Sequence, residues 1–158
     1  MAGNYEFDNL DLQILNILMK NGKTPYNELA KKLFVSGGTI HVRIKKMEQA
    51  GVILGTRLNV DHEKLGYDIT CFVGVFLKES AQYEEVNELM TAIPEVVEVH
   101  YTTGVYSLFV KILCRDTTHL MEVLNTKIQK IEGIQRTETL ISLKESVHRP
   151  LEVMTETY

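Results

Sequence analysis

The chain has 158 residues, a length that suits two small domains, and 44% of its residues are hydrophobic, as in folded globular proteins. Its net charge is −4, so any nucleic-acid-binding surface has to be local, and the lack of a long apolar run or a leader-like N-terminus predicts a cytoplasmic protein that does not span a membrane. Two distant cysteines and five histidines without ligand spacing argue against a disulfide, a metal site or a bound cofactor.

Apolar residues at helical spacing predict two helices near the N-terminus. The first covers residues 9–18, with Asp8 as its cap. The second follows Pro25, which suits the first helical position, with Thr24 as the predicted cap. Both helices turn one face toward a common core. In the second helix this face consists of four residues at positions i, i+3, i+4 and i+7: Tyr26, Leu29, Ala30 and Leu33.

A turn and a third helix follow directly. Phe34 and Val35 are too few for anything but a turn, and we expect both side chains to fill the core. Ser36 is a suitable N-cap for a helix that Gly51 ends in a left-handed conformation. Two short helices joined by a tight turn form a helix-turn-helix, a motif that usually places its second helix in the major groove of DNA. The predicted inner stripe of that helix is Ile40, Ile44 and Met47.

Residues 20–50 form a positive segment within an acidic chain. They contain seven Lys and Arg against two Glu, a net charge of +5, whereas the whole chain carries −4. Such a segment suits phosphate binding, but charge alone fits a solvated lysine-rich surface equally well. The helix-turn-helix spacing and the Gly51 exit decide in favour of DNA.

We therefore predict that the third helix and its flanks contact DNA. The residues near bases or adjacent phosphates are Ser36, Gly37, Gly38, Thr39, His41 and Arg43. Those that mainly neutralise the phosphate backbone are Lys32, Lys45 and Lys46. As an isologous dimer, the chain would present two such helices to a pseudopalindromic site on double-stranded DNA.

The residues after Gly51 are predicted to be extended. Residues 52–54 are apolar, and residues 57–60 alternate between polar and apolar side chains, a pattern that suggests a wing or a connecting strand. The DNA-binding domain with this strand is placed at residues 1–61, and a linker at residues 62–67. A domain of about 60 residues is near the lower limit for an independent core.

Residues 68–145 alternate between strand and helix patterns. This order, βαββαβ, predicts the ferredoxin-like split βαβ motif, an antiparallel sheet with two helices on one face. An apolar sheet face left uncovered in a monomer is a dimer surface. The fold class is therefore α+β, and residues 146–158 form a C-terminal tail. The predicted strands are 69–77, 96–103, 106–114 and 134–143, and the predicted helices are 82–92 and 117–130.

A polar loop between the second and third of these strands is the candidate ligand site. We expect it at a turn between the two central strands. Its hydroxyls donate and accept hydrogen bonds and its glycine exposes backbone N–H groups, a set that can hold the carboxylate and ammonium of an amino acid. The same residues also suit an ordinary polar hairpin turn, which the residue pattern alone favours. The candidate residues are Tyr101, Thr102, Thr103, Gly104, Tyr106 and Ser107.

The chain resembles the Lrp/AsnC family, also called the feast/famine regulators. Residues 36–43 and 101–104 are most similar to the asparagine-responsive branch of the family. One difference is Gly37, since family members often have proline after the capping serine. The resemblance continues through the second half of the chain, and its N-terminal segments are Leu10-Asp11, Glu28-Leu29-Ala30, Val35-Ser36, Thr39-Ile40, Arg43-Ile44, Met47-Glu48 and Gly51-Val52-Ile53.

This resemblance implies a winged helix-turn-helix domain followed by a ligand-responsive RAM domain that forms dimers and often octamers. It implies two further partners, a double-stranded DNA operator and a small amino-acid effector, and it matches residues 101–107 to the family's effector-binding turn. Gln129 and Glu138 match positions that can reach the effector from a neighbouring subunit. Many members have aspartate where this chain has Ser107, a difference that favours L-asparagine over leucine-type effectors.

We therefore expect a sequence-specific transcription regulator that responds to a small amino acid. We do not expect an enzyme, because the sequence has no nucleophile motif, phosphate-binding glycine loop or paired carboxylates. Two alternatives remain open. One is a nucleoid-type architectural protein that binds DNA with little sequence preference. The other is an amino-acid-binding regulatory subunit of a metabolic enzyme, which the lack of catalytic motifs disfavours.

Overall fold

A computed structural model describes residues 5–154 of the chain. The chain divides into two compact units. We call Met1–Asn59 with Ser146–Tyr158 the helical unit, and Val60–Glu145 the sheet unit. Within the described range, no helix combines the length and the apolar character needed to cross a bilayer.

The helical unit is built from three helices, α1 (Asn9–Lys20), α2 (Tyr26–Lys32) and α3 (Gly37–Gln49). Asp8 caps α1, because its carboxylate accepts a hydrogen bond from the Asp11 N–H at 3.0 Å. In return, the Asp11 carboxylate accepts one from the Asp8 N–H at 3.3 Å. The predicted inner stripe of α3 is confirmed. The buried core of the unit contains Ile14, Leu29, Ala30, Ile40, Ile44 and Met47.

The helix ends follow the predicted residues with one exception. Ser36 caps α3 by accepting a hydrogen bond from the backbone N–H three residues on, and Gly51 has a left-handed backbone with a φ of 71°. The predicted cap at Thr24 is wrong, since Pro25 occupies the N-cap position of α2. The Thr24 hydroxyl instead donates to the Asn21 carbonyl at 2.7 Å, which ties down the preceding turn.

The turn between α2 and α3 places its aromatic residue outside the core. Phe34 has a φ of 55°, in the left-handed region, and its side chain is 95% exposed. Val35 packs against the core, and its N–H donates to the Ala30 carbonyl at 3.0 Å. The prediction that both side chains fill the core is therefore wrong for Phe34. The left-handed residue reverses the chain between the two helices, and its side chain consequently faces solvent.

Replacing Phe34 with glycine is expected to raise the free energy of unfolding of the helical unit by up to about 1 kcal/mol. Glycine adopts the left-handed backbone without strain, and this gain exceeds the extra backbone entropy that glycine loses on folding. Little packing is lost, since the ring is exposed. Phe34→Ala is the matched control, because it removes the same ring and keeps the strain. Urea unfolding followed by circular dichroism measures both variants. Equal stability of the two would contradict strain at this position.

The segment after α3 has no regular secondary structure. Residues 53–61 form neither helix nor strand, and Leu54 and Leu58 are 92% and 78% exposed. Within the described part of the chain, the predicted wing or connecting segment therefore contains no strand. No neighbouring segment there supplies the ladder of hydrogen bonds that a strand requires.

The C-terminal segment joins the helical unit through α1. Asn16 donates from Nδ2 to the Val153 carbonyl and accepts at Oδ1 from the Val153 N–H, both at 2.8 Å. Lys20 Nζ lies 3.0 Å from Glu152 Oε1, an exposed ion pair that adds little stability. The Asn16 amide thus pairs with the Val153 backbone much as a neighbouring strand would. The predicted tail has a partner within the helical unit.

The sheet unit has the predicted βαββαβ order. Its four strands pair antiparallel in the order β2-β3-β1-β4, which confirms the α+β, ferredoxin-like class. A π-helical turn at Val123–Ile128 continues its second helix. The strands are β1 (Ile69–Leu77), β2 (Val96–Tyr101), β3 (Leu108–Cys114) and β4 (Ile134–Ile141), and the helices are α4 (Tyr83–Thr91) and α5 (Thr117–Glu122).

One face of the sheet packs against the helices. Cys71 and Val73 of β1 are fully buried in a core with Val86 and Met90 of α4. The two cysteines are buried free thiols, and burial raises the pKa of Cys71 to about 11 and raises that of Cys114 in the same direction. Both cysteines therefore act as small apolar side chains in this core.

The other face of the sheet carries a cluster of aromatic rings, which we call the aromatic face: Phe72, Phe76, Tyr106 and Phe109. The ring centroids of Phe72 and Phe109 lie 5.6 Å apart, and that of Tyr106 lies 5.2 Å from Phe76 and 5.9 Å from Phe109. All four side chains are partly exposed. Within the described chain, the helices pack on the opposite side and leave this apolar face uncovered.

Candidate DNA-binding and effector-binding sites

The first turn of α3 presents polar groups to solvent. Ser36 Oγ, besides capping the helix, lies 2.9 Å from Thr39 Oγ1. Gly37 and Gly38 have no side chains to cover the free N–H groups of this turn. A Cβ on Gly37 would lie 3.3 Å from Asn27 Oδ1, so the glycine also eases the approach of α2. A helix N-terminus with exposed N–H groups favours an anion such as a DNA phosphate.

The basic side chains around α3 differ in whether they have internal partners. Lys32 forms an i,i+4 ion pair with Glu28, with 2.8 Å between Nζ and Oε1, and both side chains are about half exposed. His41 is exposed. Lys45 and Lys46 are also exposed and show no ion pair within residues 5–154. These two lysines are therefore available to a phosphate from outside.

Arg43, which is predicted to contact DNA, pairs with two carboxylates at the start of α1. Its Nη1 lies 3.2 Å from both carboxylate oxygens of Asp11, and it also pairs with the Asp8 carboxylate. The Asp11 side chain is 1% exposed and that of Arg43 is 32% exposed. Tyr5 adds a hydrogen bond from its hydroxyl to Asp11 Oδ2 at 3.1 Å. The charge of Arg43 is thus committed to two carboxylates at the start of α1.

Ionisation in this network follows from its contacts. The N–H of Asp11 and the Arg43 guanidinium hold the pKa of Asp8 below its ordinary value, and Asp8 raises the pKa of Arg43. Since the folded-state pKa of Asp8 is depressed, the stabilisation from its carboxylate is present above the ordinary aspartate pKa. It is lost as the pH falls through the depressed value.

The loop between β2 and β3 is fixed by its own polar groups. Thr102 Oγ1 donates to the Tyr106 carbonyl at 2.5 Å, and Ser107 Oγ accepts from a backbone N–H of β1 at 3.3 Å. Thr103 and Gly104 are exposed at the tip. The predicted position between two central strands is wrong, because β2 is an edge strand and β3 pairs with β1 on its inner side. Two predicted hydroxyls thus hold the loop, and its tip faces solvent.

Tyr106 and Glu138 meet beside the aromatic face. The Tyr106 hydroxyl donates to Glu138 Oε2 at 2.8 Å, and Arg136 also pairs with that carboxylate while its guanidinium lies 3.4 Å from the centroid of the Phe76 ring. Hydrogen bonds from Arg136 and Tyr106 hold the pKa of Glu138 below its usual value. The tyrosine ring covers Gly74, where a Cβ would lie 2.4 Å from Tyr106 Cδ1. The pair therefore presents the ionised Glu138 carboxylate, which the Tyr106 hydroxyl holds in place.

Two further predicted effector residues lie apart from this pair. Tyr101 packs on Tyr83, with 4.2 Å between ring centroids. Gln129 follows the π-helical turn and lines a shallow groove with residues 134–137. Within one chain, neither residue shows a contact with Glu138 among the described positions.

Sequence reasoning missed Arg136 and Gly74 as parts of this site. Arg136 and Glu138 are two residues apart on β4 and share a face of the sheet, so the strand pattern could have paired them. Gly74 could not have been found in this way, because its contact with Tyr106 depends on the register of β1 against β3.

Two family models match the two units of the chain. A winged helix-turn-helix DNA-binding domain matches residues 7–53, and the Lrp/AsnC ligand binding domain matches residues 70–151. The second match covers about half of the chain. Together they confirm the predicted resemblance and both domain types.

Named relatives match over nearly the full length. Regulatory protein AsnC of Haemophilus influenzae is 48% identical over 93% of this chain and 98% of its own length. Regulatory protein AsnC of Escherichia coli K12 is 49% identical over 94% of this chain and 97% of its own length. The solved structure of E. coli AsnC superposes with a TM-score of 0.90 at 48% identity and covers 94% of this chain and 100% of that chain. These relatives are named as regulators, in agreement with a non-enzymatic role.

Proposed function

This chain belongs to the Lrp/AsnC family and is a DNA-binding transcriptional regulator, and from that premise we propose that α3 binds a specific operator and that L-asparagine is the effector. The observation that carries the DNA half is the first turn of α3, capped by Ser36, together with Lys45 and Lys46 farther along the helix, which are exposed and show no ion pair among the described residues. Exposed N–H groups at the start of a helix and exposed positive charges farther along it both complement a phosphate backbone.

The DNA contacts divide into two groups. We assign base and nearby phosphate contacts to the first half of α3, which would enter the major groove, and backbone neutralisation to the lysines around it. The first group is Ser36, Gly37, Gly38, Thr39 and His41, and the second is Lys32, Lys45 and Lys46. A transcription regulator has to reach DNA, so we also propose a cytoplasmic location.

Asparagine suits the groups around the β2–β3 loop. Its carboxylate matches the exposed backbone N–H groups at Thr103 and Gly104, and its ammonium and carboxamide N–H groups match the ionised Glu138. Gln129 would reach the ligand from a neighbouring subunit. The proposed set is Tyr101, Thr102, Thr103, Gly104, Tyr106, Ser107, Gln129 and Glu138.

A second copy of the chain is the proposed cover for the aromatic face. An uncovered apolar sheet face of this kind supports an isologous homodimer, and further assembly into an octamer follows the family pattern. The effector would control DNA binding by favouring one assembled state, because a ligand shifts an equilibrium only through unequal affinity for its states.

Calorimetry with the full-length protein and each of the twenty amino acids tests the effector. We expect asparagine to release binding heat, and Glu138→Gln to weaken that binding by about tenfold or more through loss of a charge-assisted hydrogen bond. Glu122→Gln is the matched control, since Glu122 is exposed on α5 away from the loop. A signal from another amino acid alone would overturn asparagine, and no signal from any would reduce the loop to a structural turn.

Binding to an operator selected from a random duplex pool tests the DNA half. At one salt concentration, a regulator should prefer that operator over a scrambled duplex by about 10³-fold or more, whereas an architectural protein should not. Lys45→Gln and Lys46→Gln should each lower the salt slope by about 1. Lys130→Gln, an exposed lysine of the sheet unit, serves as the control.

A further inference from the structure

We infer that Asp11 is a positioning residue for DNA recognition and that it acts through Arg43 to fix α3. The inference rests on the proposed operator binding by α3. It assigns Arg43 a role within the protein in place of a contact with a base. It also gives a function to a buried carboxylate that lies outside both candidate sites.

The contacts connect two helices that lie far apart in sequence. Arg43 comes from the middle of α3, and its Nη1 is 3.2 Å from Asp11 Oδ1 and 3.2 Å from Asp11 Oδ2, in the first turn of α1. The same nitrogen pairs with Asp8, the cap of α1. Tyr5 donates to Asp11 Oδ2 at 3.1 Å. One guanidinium group thus joins α3 to both acids at the start of α1.

Burial makes this pair different from an ordinary surface ion pair. The Asp11 side chain is 1% exposed, so a charged carboxylate there needs a fixed partner, and removal of the guanidinium would leave a buried charge uncompensated. The planar guanidinium also restricts the direction of approach in a way that a lysine ammonium would not. The Arg43–Asp11 contact therefore constrains geometry as well as charge.

The position of Arg43 on α3 links this constraint to the DNA-facing turn. Ser36, Thr39 and Arg43 recur at spacings of three and four residues, so they lie along one side of the helix. An anchor at Arg43 resists rotation of α3 about its axis, and such a rotation would carry Ser36 and Thr39 away from their place. Lys45 and Lys46 lie off this stripe and stay available to phosphates.

The test compares the operator affinity of Asp11→Asn, Arg43→Gln and the double variant with that of the full-length parent. Asp11→Asn removes a negative charge near DNA, so charge alone would tighten binding, whereas loss of positioning weakens it. We expect each single variant to bind about tenfold more weakly, and the double variant to be no weaker than the worse single variant, because both remove one shared interaction. Glu6→Gln, an exposed carboxylate change nearby, should bind like the parent.

A panel of operators with single base-pair changes separates positioning from base reading. If positioning holds, Arg43→Gln keeps the parent's relative preference at every position, and Arg43→Lys restores part of the affinity. Loss of discrimination at one position, together with unchanged or tighter binding by Asp11→Asn, would overturn the inference.

Folding and the proposed function are controlled separately. Circular dichroism at the assay temperature verifies that each variant is folded. If Asp11→Asn does not fold, Asp8→Asn, with a half-exposed side chain, replaces it and should weaken binding several-fold, whereas unchanged binding would count against the inference. If the parent itself fails to prefer the operator, the proposed function is wrong and the inference falls with it. If the parent binds specifically and both aspartate variants match it, the inference alone is wrong.

Discussion

Replacement of Ile40 by alanine is expected to lower the free energy of unfolding of the helical unit by about 2–5 kcal/mol, the usual cost of removing a large buried aliphatic side chain. Ile40 is 0% exposed and packs in a core with Ile14, Leu29, Ile44 and Met47. A unit of this size has a total stability of only about 4–11 kcal/mol. The change therefore removes much of that stability and should lower the melting temperature of the unit by roughly 10–30 °C.

Val42→Ala is the matched control for this prediction. Val42 lies on the same helix but is 51% exposed, so its truncation should change stability by no more than about 0.5 kcal/mol. Hydrogen exchange on the full-length protein, resolved by residue, separates the helical unit from the sheet unit. The expected result is faster exchange in α1, α2 and α3 of Ile40→Ala, with β1 to β4 unchanged. Equal behaviour of the two variants would contradict the assignment of Ile40 to the core.

The substitution Gly74→Ala is expected to destabilise the sheet unit by about 1–3 kcal/mol, the usual cost of overpacking. Alanine normally suits a strand better than glycine does, so a loss of stability can only come from its new methyl group. That methyl would lie 2.4 Å from Tyr106 Cδ1 and 2.8 Å from Cγ, close to the base of the side chain, so the whole ring has to move. Tyr106 would then lose its place beside Phe76 and Glu138, and asparagine binding should weaken with it.

A double-mutant cycle with Tyr106→Ala isolates this contact. In the variant that lacks the ring, the added Gly74→Ala change should cost almost nothing, because the clash has been removed. Gly104→Ala tests the same kind of change at a position where a Cβ meets no atom within 4 Å, and it should leave stability nearly unchanged. Urea unfolding of the full-length protein gives the stabilities. An equal cost of Gly74→Ala with and without the ring would show that the damage lies in the backbone.

The local pattern of the sequence was sufficient for much of the fold. Strand β1 has the predicted limits, and the βαββαβ order is confirmed. Asp8 and Ser36 cap the starts of their helices, and Gly51 follows the end of α3, as expected. Each of these features depends on residues that are close to one another along the chain. Hydrophobic period and capping chemistry describe such neighbours well.

The errors concern features that depend on distant parts of the chain. An apolar residue in a turn can face either way, and the left-handed backbone at Phe34 decided its exposure. The sequence also did not indicate that α1 brings Asp11 against Arg43. Residues 57–60 alternate between polar and apolar side chains, but a strand also needs a partner. For the candidate effector site, the residue types indicated the loop but not that Thr102 already bonds within it.

The pairing of Asn16 with Val153 has a consequence for protein synthesis. The sheet unit is an insertion between two segments of the helical unit, so the ribosome makes α1, α2 and α3 first and residue 153 only after the whole of Val60–Glu145. At about 5–20 residues per second, the three helices wait for several seconds before Asn16 can meet its backbone partner. The nascent helices must therefore hold together without that contact, and its formation marks a chain whose inserted sheet has already been made.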